Sequence, residues 1–183
     1  SDSHLHESGR PLRILGLKGL LYVELTVRTA PTDQPSMRAT SIPNPVWRLV
    51  WALSTLKDRN NRILIPGFYD DILEPTPLER EAVARIPYDE GTLLRHFGIR
   101  EFLPGRKTRD FYHNLVFEPT CNIAGILSGY VGPGSKTVLP STASAKMDIR
   151  LVPKQDPDDI HRKLRAHLNA QGFSDIGITI SQG

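Results

Sequence analysis

Residues 16–30 read GLKGLLYVELTVRTA, and the alternation that begins at Leu21 decides the fold. Leu21, Val23, Leu25 and Val27 fall on one side of an extended chain, and Tyr22, Glu24, Thr26 and Arg28 on the other. Successive side chains of a strand point to opposite faces, so this is a strand buried on one face. STASAKMDIRLVP at 141–153 repeats the pattern, with Ala143, Ala145, Met147, Ile149 and Leu151 set against Thr142, Ser144, Lys146, Asp148 and Arg150. The apolar side of each strand calls for a layer of helices.

Two helices answer. Asn44-Pro45 reads as an N-cap followed by a first-turn proline. Val46, Leu49, Val50, Leu53 and Leu56 then form one stripe at helical spacing, and the helix ends in KDRNN. Trp47 and Trp51, four apart on the flank of that stripe, need a cover, either residues 59–118 or a partner subunit, where tryptophan is enriched. Asp156-Pro157 caps the second helix, with two acids in its first turn where the helix dipole favours them. Ile160, Leu164, Leu168 and Gln171 mark its face, and Gly172 ends it.

The remaining segments complete the order. PTDQPSMRATSIPNP is a proline-rich loop. RILIPGFYDD at 62–71 reads as a short apolar strand broken at Pro66-Gly67, and residues 76–118 as short helices starting at Thr76-Pro77, Tyr88 and Lys107. Residues 120–131 are extended, GPGSK is a turn, and 176–182 form a last strand. With 59–118 set aside, the order is strand, helix, strand, strand, helix, strand. That is the split βαβ arrangement. The expected fold class is α+β: a ferredoxin-like two-layer domain with a four-stranded antiparallel sheet and two helices on one face. Residues 59–118 form a mostly helical insertion, and 1–183 read as a single domain.

Composition narrows the functional classes. The chain has 183 residues, 39% apolar and 23% charged, ordinary values for a globular protein. Its net charge of +3 comes from scattered Lys and Arg, interleaved with acids and apolar residues even between Arg95 and Arg109 and between His161 and Arg165, which argues against nucleic acid as a partner. A lone cysteine, Cys121, permits no intrachain disulfide, which suits a reducing, cytoplasmic compartment. No apolar run approaches the roughly 18–20 residues that span a bilayer, so no membrane partner is expected, and the opening SDSHLHESG has no secretory pattern.

No self-contained active site emerges. GPGSK at 132–136 joins two strands rather than opening a helix, so it is a poor phosphate loop. No serine stands in a nucleophile-elbow pattern, and Cys121, without a histidine nearby in sequence, reads as a small buried residue. His96, His113, His161 and His167 fall on helices as surface or boundary residues. Asp2, His4, His6 and Glu7 are metal-capable, but a free terminus does not fix the three or so protein ligands that a catalytic zinc needs. Arg150 sits mid-strand on the open face, either solvated or as a guanidinium fork aimed at a carboxylate.

Four motifs carry a family resemblance: GLKGLLYVELTV at 16–27, NPVWRLVWALSTLKD followed by RILIPGFYDD at 44–71, GPGSKTVLPSTASAKMDIRLVP at 132–153, and QDPDDI at 155–160. Together they resemble the dimerisation (lid) domain of the zinc-dependent exopeptidases that include carnosinase-type dipeptidases, aminoacylases and succinyl-diaminopimelate desuccinylase. The resemblance implies a lid inserted into a larger catalytic domain of the same polypeptide, a homodimer, and a peptide or N-acyl amino acid substrate. It implies zinc or manganese in the parent enzyme, whose metal-bound water attacks an amide, and no activity or cofactor for this chain alone.

The resemblance also assigns residues. Arg150 of IRLVP would hold a substrate carboxylate, and Thr137 of KTV would also reach substrate. Ser1-Asp2, followed by Pro11, makes Asp2 a metal ligand at the edge of the catalytic domain, with 1–15 belonging to that edge. One position departs. Where the family carries Asp-x-His-Ser, with a histidine that reaches the partner's active site, this chain has Asp33-Gln34-Pro35-Ser36. Pro35 has no side-chain donor to take that histidine's place. The rival reading is a free-standing module whose sheet face binds a small acidic ligand or a nucleic acid.

Overall fold

The computed structural model describes residues 16–104, 106 and 108–181. The elements run β1 (Gly19–Arg28), β2 (Gln34–Pro35), α1 (Pro45–Ser54), α2 (Pro77–Ala84), α3 (Glu90–Phe97), α4 (Phe111–Phe117), β3 (Thr120–Ser128), β4 (Val138–Leu139), β5 (Thr142–Leu151), α5 (Pro157–Ala170) and β6 (Gly177–Ile180). The main sheet has the order β3-β5-β1-β6 and is antiparallel throughout. This is the expected α+β architecture, with the first and third strands of the split βαβ unit at its centre.

β1 and β5 pair in unbroken register from Gly19 against Leu151 to Arg28 against Thr142. The alternation read from the sequence is the alternation of burial: Leu21, Val23, Leu25 and Val27 stand beside Ile149, Met147, Ala145 and Ala143 on one face of the sheet and line a dry layer. Ala143 and Ala145 are small, which lets α1 pack close over β1 and β5. Leu49 and Leu53 from α1, and Ile160, Leu164 and Leu168 from α5, fill that layer. Each helix starts where its cap dictates. The Asn44 carboxamide accepts from Val46 N–H at 2.8 Å, and Asp156 Oδ1 accepts from Asp158 and Asp159 N–H at 2.8 and 2.9 Å.

Several expectations are corrected. RILIPGFYDD is not a strand: Ile63 makes one isolated bridge to Lys57, and the chain then turns through Gly67, whose φ of +74° suits glycine. Ile63, Ile65 and Phe68 are nonetheless buried as plugs of the core. The buried Gln155 amide pins this segment by donating to the Phe68 carbonyl at 2.8 Å, and Lys163 Nζ donates to the Gly67 carbonyl at 2.8 Å. The loop after β1 contains the two-residue β2 and a 3-10 helix over Ser36–Thr40. Val50 leaves the core stripe and lies 40% exposed beside Trp47 and Trp51. Gln171 is exposed as the C-cap of α5 rather than part of its packed face.

His167, expected near the surface, is 5% exposed. Its Nε2 lies 3.0 Å from Thr55 Oγ1. That hydroxyl donates to the Ala52 carbonyl at 2.8 Å, so the imidazole must be the donor in the pair, clasping α5 to the end of α1. Burial lowers the His167 pKa below its ordinary 6.5, outweighing a hydrogen bond to the Thr55 main chain that raises it. A depressed folded-state pKa means that stability is full above the unfolded value near 6.5 and is lost as pH falls through the lower folded value. The melting temperature is expected to fall between pH 7 and 5, and His167→Gln should flatten that slope. An unchanged slope in the variant would assign the acid sensitivity to other groups.

Candidate functional site

The two ends of the sheet carry different chemistry. β1 enters the sheet beside Leu151 and Arg150, and β6, antiparallel to β1, leaves it toward the same end, with Ser181 N–H donating to the Tyr22 carbonyl at 3.0 Å. Arg150 lies here, exposed on the open face between Leu20 of β1 and Thr120 of β3. No carboxylate forms an ion pair with it among the described residues. The next row along the face holds Tyr22, Asp148 and Asn122. Asn122 Nδ2 donates to Asp148 Oδ1 at 2.8 Å, so that acid is already engaged. A guanidinium without a fixed acid on an open sheet face can accept a carboxylate in two parallel hydrogen bonds.

Lys18, which sequence reasoning passed over, joins Arg150. It stands just before β1, and its ammonium donates to the Glu118 carbonyl. Burial lowers its pKa, Glu118 opposes that shift, and the neighbouring Arg150 charge adds to it. No local sequence signal marks it, because its partners Glu118 and Arg150 come from distant parts of the chain.

The opposite end carries Thr137. β2 and β4 pair as a short ribbon, Gln34 with Leu139 and Pro35 with Val138, so exposed Thr137 stands next to the Pro35 partner. Asp33 anchors the ribbon, its Oδ1 accepting from both Ser141 N–H and Ser141 Oγ–H at 2.9 Å. The Ser141 N–H, chiefly, holds the Asp33 carboxyl below its usual range. A strand rises about 3.3 Å per residue, so Arg150 stands roughly 26 Å from the Thr142 end of β5, with Thr137 beyond it. One protomer does not bring Arg150 and Thr137 together.

Asp2, with His4, His6 and Glu7, lies outside the described residues. Among those described, no three His, Cys, Asp or Glu side chains converge as a metal site requires. Cys121 is buried, and burial pushes its thiol up to about 11, far from the range of a reactive thiolate. GPGSK connects β3 to β4 as an exposed turn and opens no helix. No helix among the described residues is long and apolar enough to cross a membrane.

Known proteins share this architecture. Residues 15–175 match the model of a family described as the peptidase dimerisation domain. A Cys-Gly metallodipeptidase of Schizosaccharomyces pombe is 30% identical over 169 residues, and a mouse Beta-Ala-His dipeptidase 31% over 171. Those matches cover 92% and 93% of this chain but 35% of each relative, so the chain spans about a third of their length. Among solved structures, a metallo-carboxypeptidase from Sulfolobus solfataricus superposes with a TM-score of 0.87 at 41% identity, covering 95% of this chain and 40% of that one. Human carnosine dipeptidase 1 superposes at 0.79 with 27% identity, over 90% of this chain and 36% of that one.

The Asp33 anchor is testable on its own. Asp33→Ala should speed amide hydrogen exchange severalfold at Ser141 and along the β2–β4 ribbon, leaving β1 and β5 protected. Unchanged protection at Ser141 would show that the ribbon does not depend on Asp33.

Proposed function

Because the chain belongs to the peptidase dimerisation domain family, we propose that it serves as dimerisation and lid domain of a metal-dependent exopeptidase acting on peptides or N-acyl amino acids. The observation that carries this reading is the polarity of the sheet. Strand β1 enters and β6 leaves at the end where Arg150 stands. A catalytic domain continuous with both would lie at that end, under the open face. Arg150 would then hold the substrate's carboxylate, with domain closure excluding water and fixing the geometry.

Thr137, at the far end, would not serve the same site in one protomer. In a homodimer it would reach the partner's substrate. Zinc or manganese would supply Lewis-acid chemistry in the catalytic domain, with Asp2 among its ligands, and the isolated chain would be inactive. A single buried cysteine suits a cytoplasmic enzyme.

The dimer has its own support. β3 is an outer strand, and Ile123, Ile126 and Leu127 on it are 45%, 53% and 66% exposed. α1, packed on β1 and β5, is the helix nearer that edge, and its indoles Trp47 and Trp51 stack at 6.1 Å between centroids while 59% and 55% exposed. The insertion leaves them uncovered. A two-fold partner pairing along β3 would close the edge and bury the indoles together.

Two measurements test the reading. In the full enzyme, Arg150→Met should raise KM for a peptide about tenfold to a hundredfold with a smaller effect on kcat, as expected for losing charged hydrogen bonds worth about 1.5–3 kcal/mol. An unchanged KM would remove Arg150 from the site. By light scattering at tens of micromolar, the chain should be a dimer and the Trp47→Ala/Trp51→Ala variant a monomer. A monomeric parent chain would count against the dimer.

A further inference from the structure

Residues 59–118 do more than lengthen the chain: they wall a cavity of about 280 Å³ against the start of β3. Phe102, Phe111 and Leu115 come from the insertion, Cys121 from β3, and Lys18 and Lys57 from the segments flanking β1 and α1. The volume sits near the lower end of small-molecule pockets, roughly 300–1,000 Å³. The aromatic wall is part of a packed ring cluster. Phe111 packs on Phe102 at 5.6 Å and on Phe97 at 5.7 Å between centroids.

The polar groups of this cavity do not cancel. Lys57 Nζ donates to the Cys121 carbonyl at 3.3 Å, and Lys18 Nζ to the Glu118 carbonyl. Each ammonium has three N–H donors, so a main-chain carbonyl leaves donors over and neutralises no charge. The one acid of the lining, Glu118, is held by Arg106, with Nη1 2.6 Å from Oε1. The lining therefore combines an apolar recess with two lysines that no carboxylate pairs within ion-pair distance among the described residues. Burial acts on Lys18 as well, lowering its pKa. Partial desolvation strengthens the attraction of any anion that arrives.

We propose that this cavity is a binding site for a small organic carboxylate with an aromatic or branched apolar body, the body against Phe111 and Leu115 and the anionic end toward Lys18 and Lys57. A neutral apolar molecule would leave both ammonium groups without an anion, and an inorganic anion would leave the recess empty. The site follows from the insertion and the start of β3, and does not depend on the role given to Arg150.

The test uses 4-phenylbutyrate and its neutral isostere 4-phenylbutanamide, titrated into the 183-residue chain and followed by calorimetry and by amide shifts. The carboxylate should bind one-to-one and weaken as salt is raised, with shifts centred on Phe111, Leu115 and Cys121. The amide should bind at least tenfold more weakly, as should the carboxylate to the Lys18→Met/Lys57→Met variant, with its fold checked by circular dichroism. Arg150→Met should bind the carboxylate within about twofold of the parent chain. Equal binding of acid and amide, or full binding by the double lysine variant, would overturn the proposal. So would loss of binding in Arg150→Met, which would put the anion on the open sheet face instead.

Discussion

Everything in this domain is referred to the β1–β5 ladder. A ladder hydrogen bond contributes about 1 kcal/mol net, and a slip of one residue would re-form most of them. Burying each inward Leu, Val, Ile or Met contributes about 1.5–3 kcal/mol, and the same slip would turn all of them to water. Register is therefore set by the faces rather than by the ladder. Once Leu21, Val23, Leu25 and Val27 pair with Ile149, Met147, Ala145 and Ala143 on the buried face, the outward positions have no freedom left. Arg150, Asp148 and Lys146 must lie on the open side.

That dependence explains what the sequence disclosed. β1, β5 and the two capped helices are encoded locally, by period-two alternation and by Asn44-Pro45 and Asp156-Pro157, so they could be read from single segments. The exposed face of Arg150 was legible for the same reason. Residues 62–71 depart from the strand expectation because an apolar run signals burial and does not by itself specify pairing. Ile63, Ile65 and Phe68 are apolar because they plug the space beside the helices, held by Gln155 and Lys163 from distant parts of the chain. His167 was misplaced on similar grounds. Its burial depends on Thr55, which lies 112 residues away. Val50 erred the other way, its helical spacing being right and its face wrong by a few tens of degrees. The cavity under the insertion had no local signature, because its walls come from segments that meet only in three dimensions.

The distribution of charge follows the same geometry. Arg48 and Asp175, with Nε 2.6 Å from Oδ2, tie α1 to the turn before β6, and Lys163 spans Asp159 and the Gly67 carbonyl. These cations are committed to holding elements together. Arg150, Lys18 and Lys57 are the contrast. They cluster around the end of the sheet where β1 begins, and the acids within reach of them, Asp148 and Glu118, already answer to Asn122 and Arg106. The surplus of positive charge at that end is local, and a net charge of +3 for the whole chain does not reveal it.

Pro35 bears on the far end in a way that its chemistry alone does not suggest. The shape of that end comes from Asp33, which holds Ser141 by two hydrogen bonds, and from the pairing of Gln34 and Pro35 with Leu139 and Val138. None of these requires a particular side chain at position 35, and proline's fixed φ, here −58°, leads directly into the 3-10 turn that follows. This geometry needs no imidazole at position 35. Next in the chain to this short ladder stand two hydroxyl residues, Ser36 after Pro35 and Thr137 before Val138, with Lys136 preceding Thr137. Hydroxyls donate hydrogen bonds without titrating near neutral pH. Position 35 itself therefore offers no group that titrates in the range where an imidazole would switch.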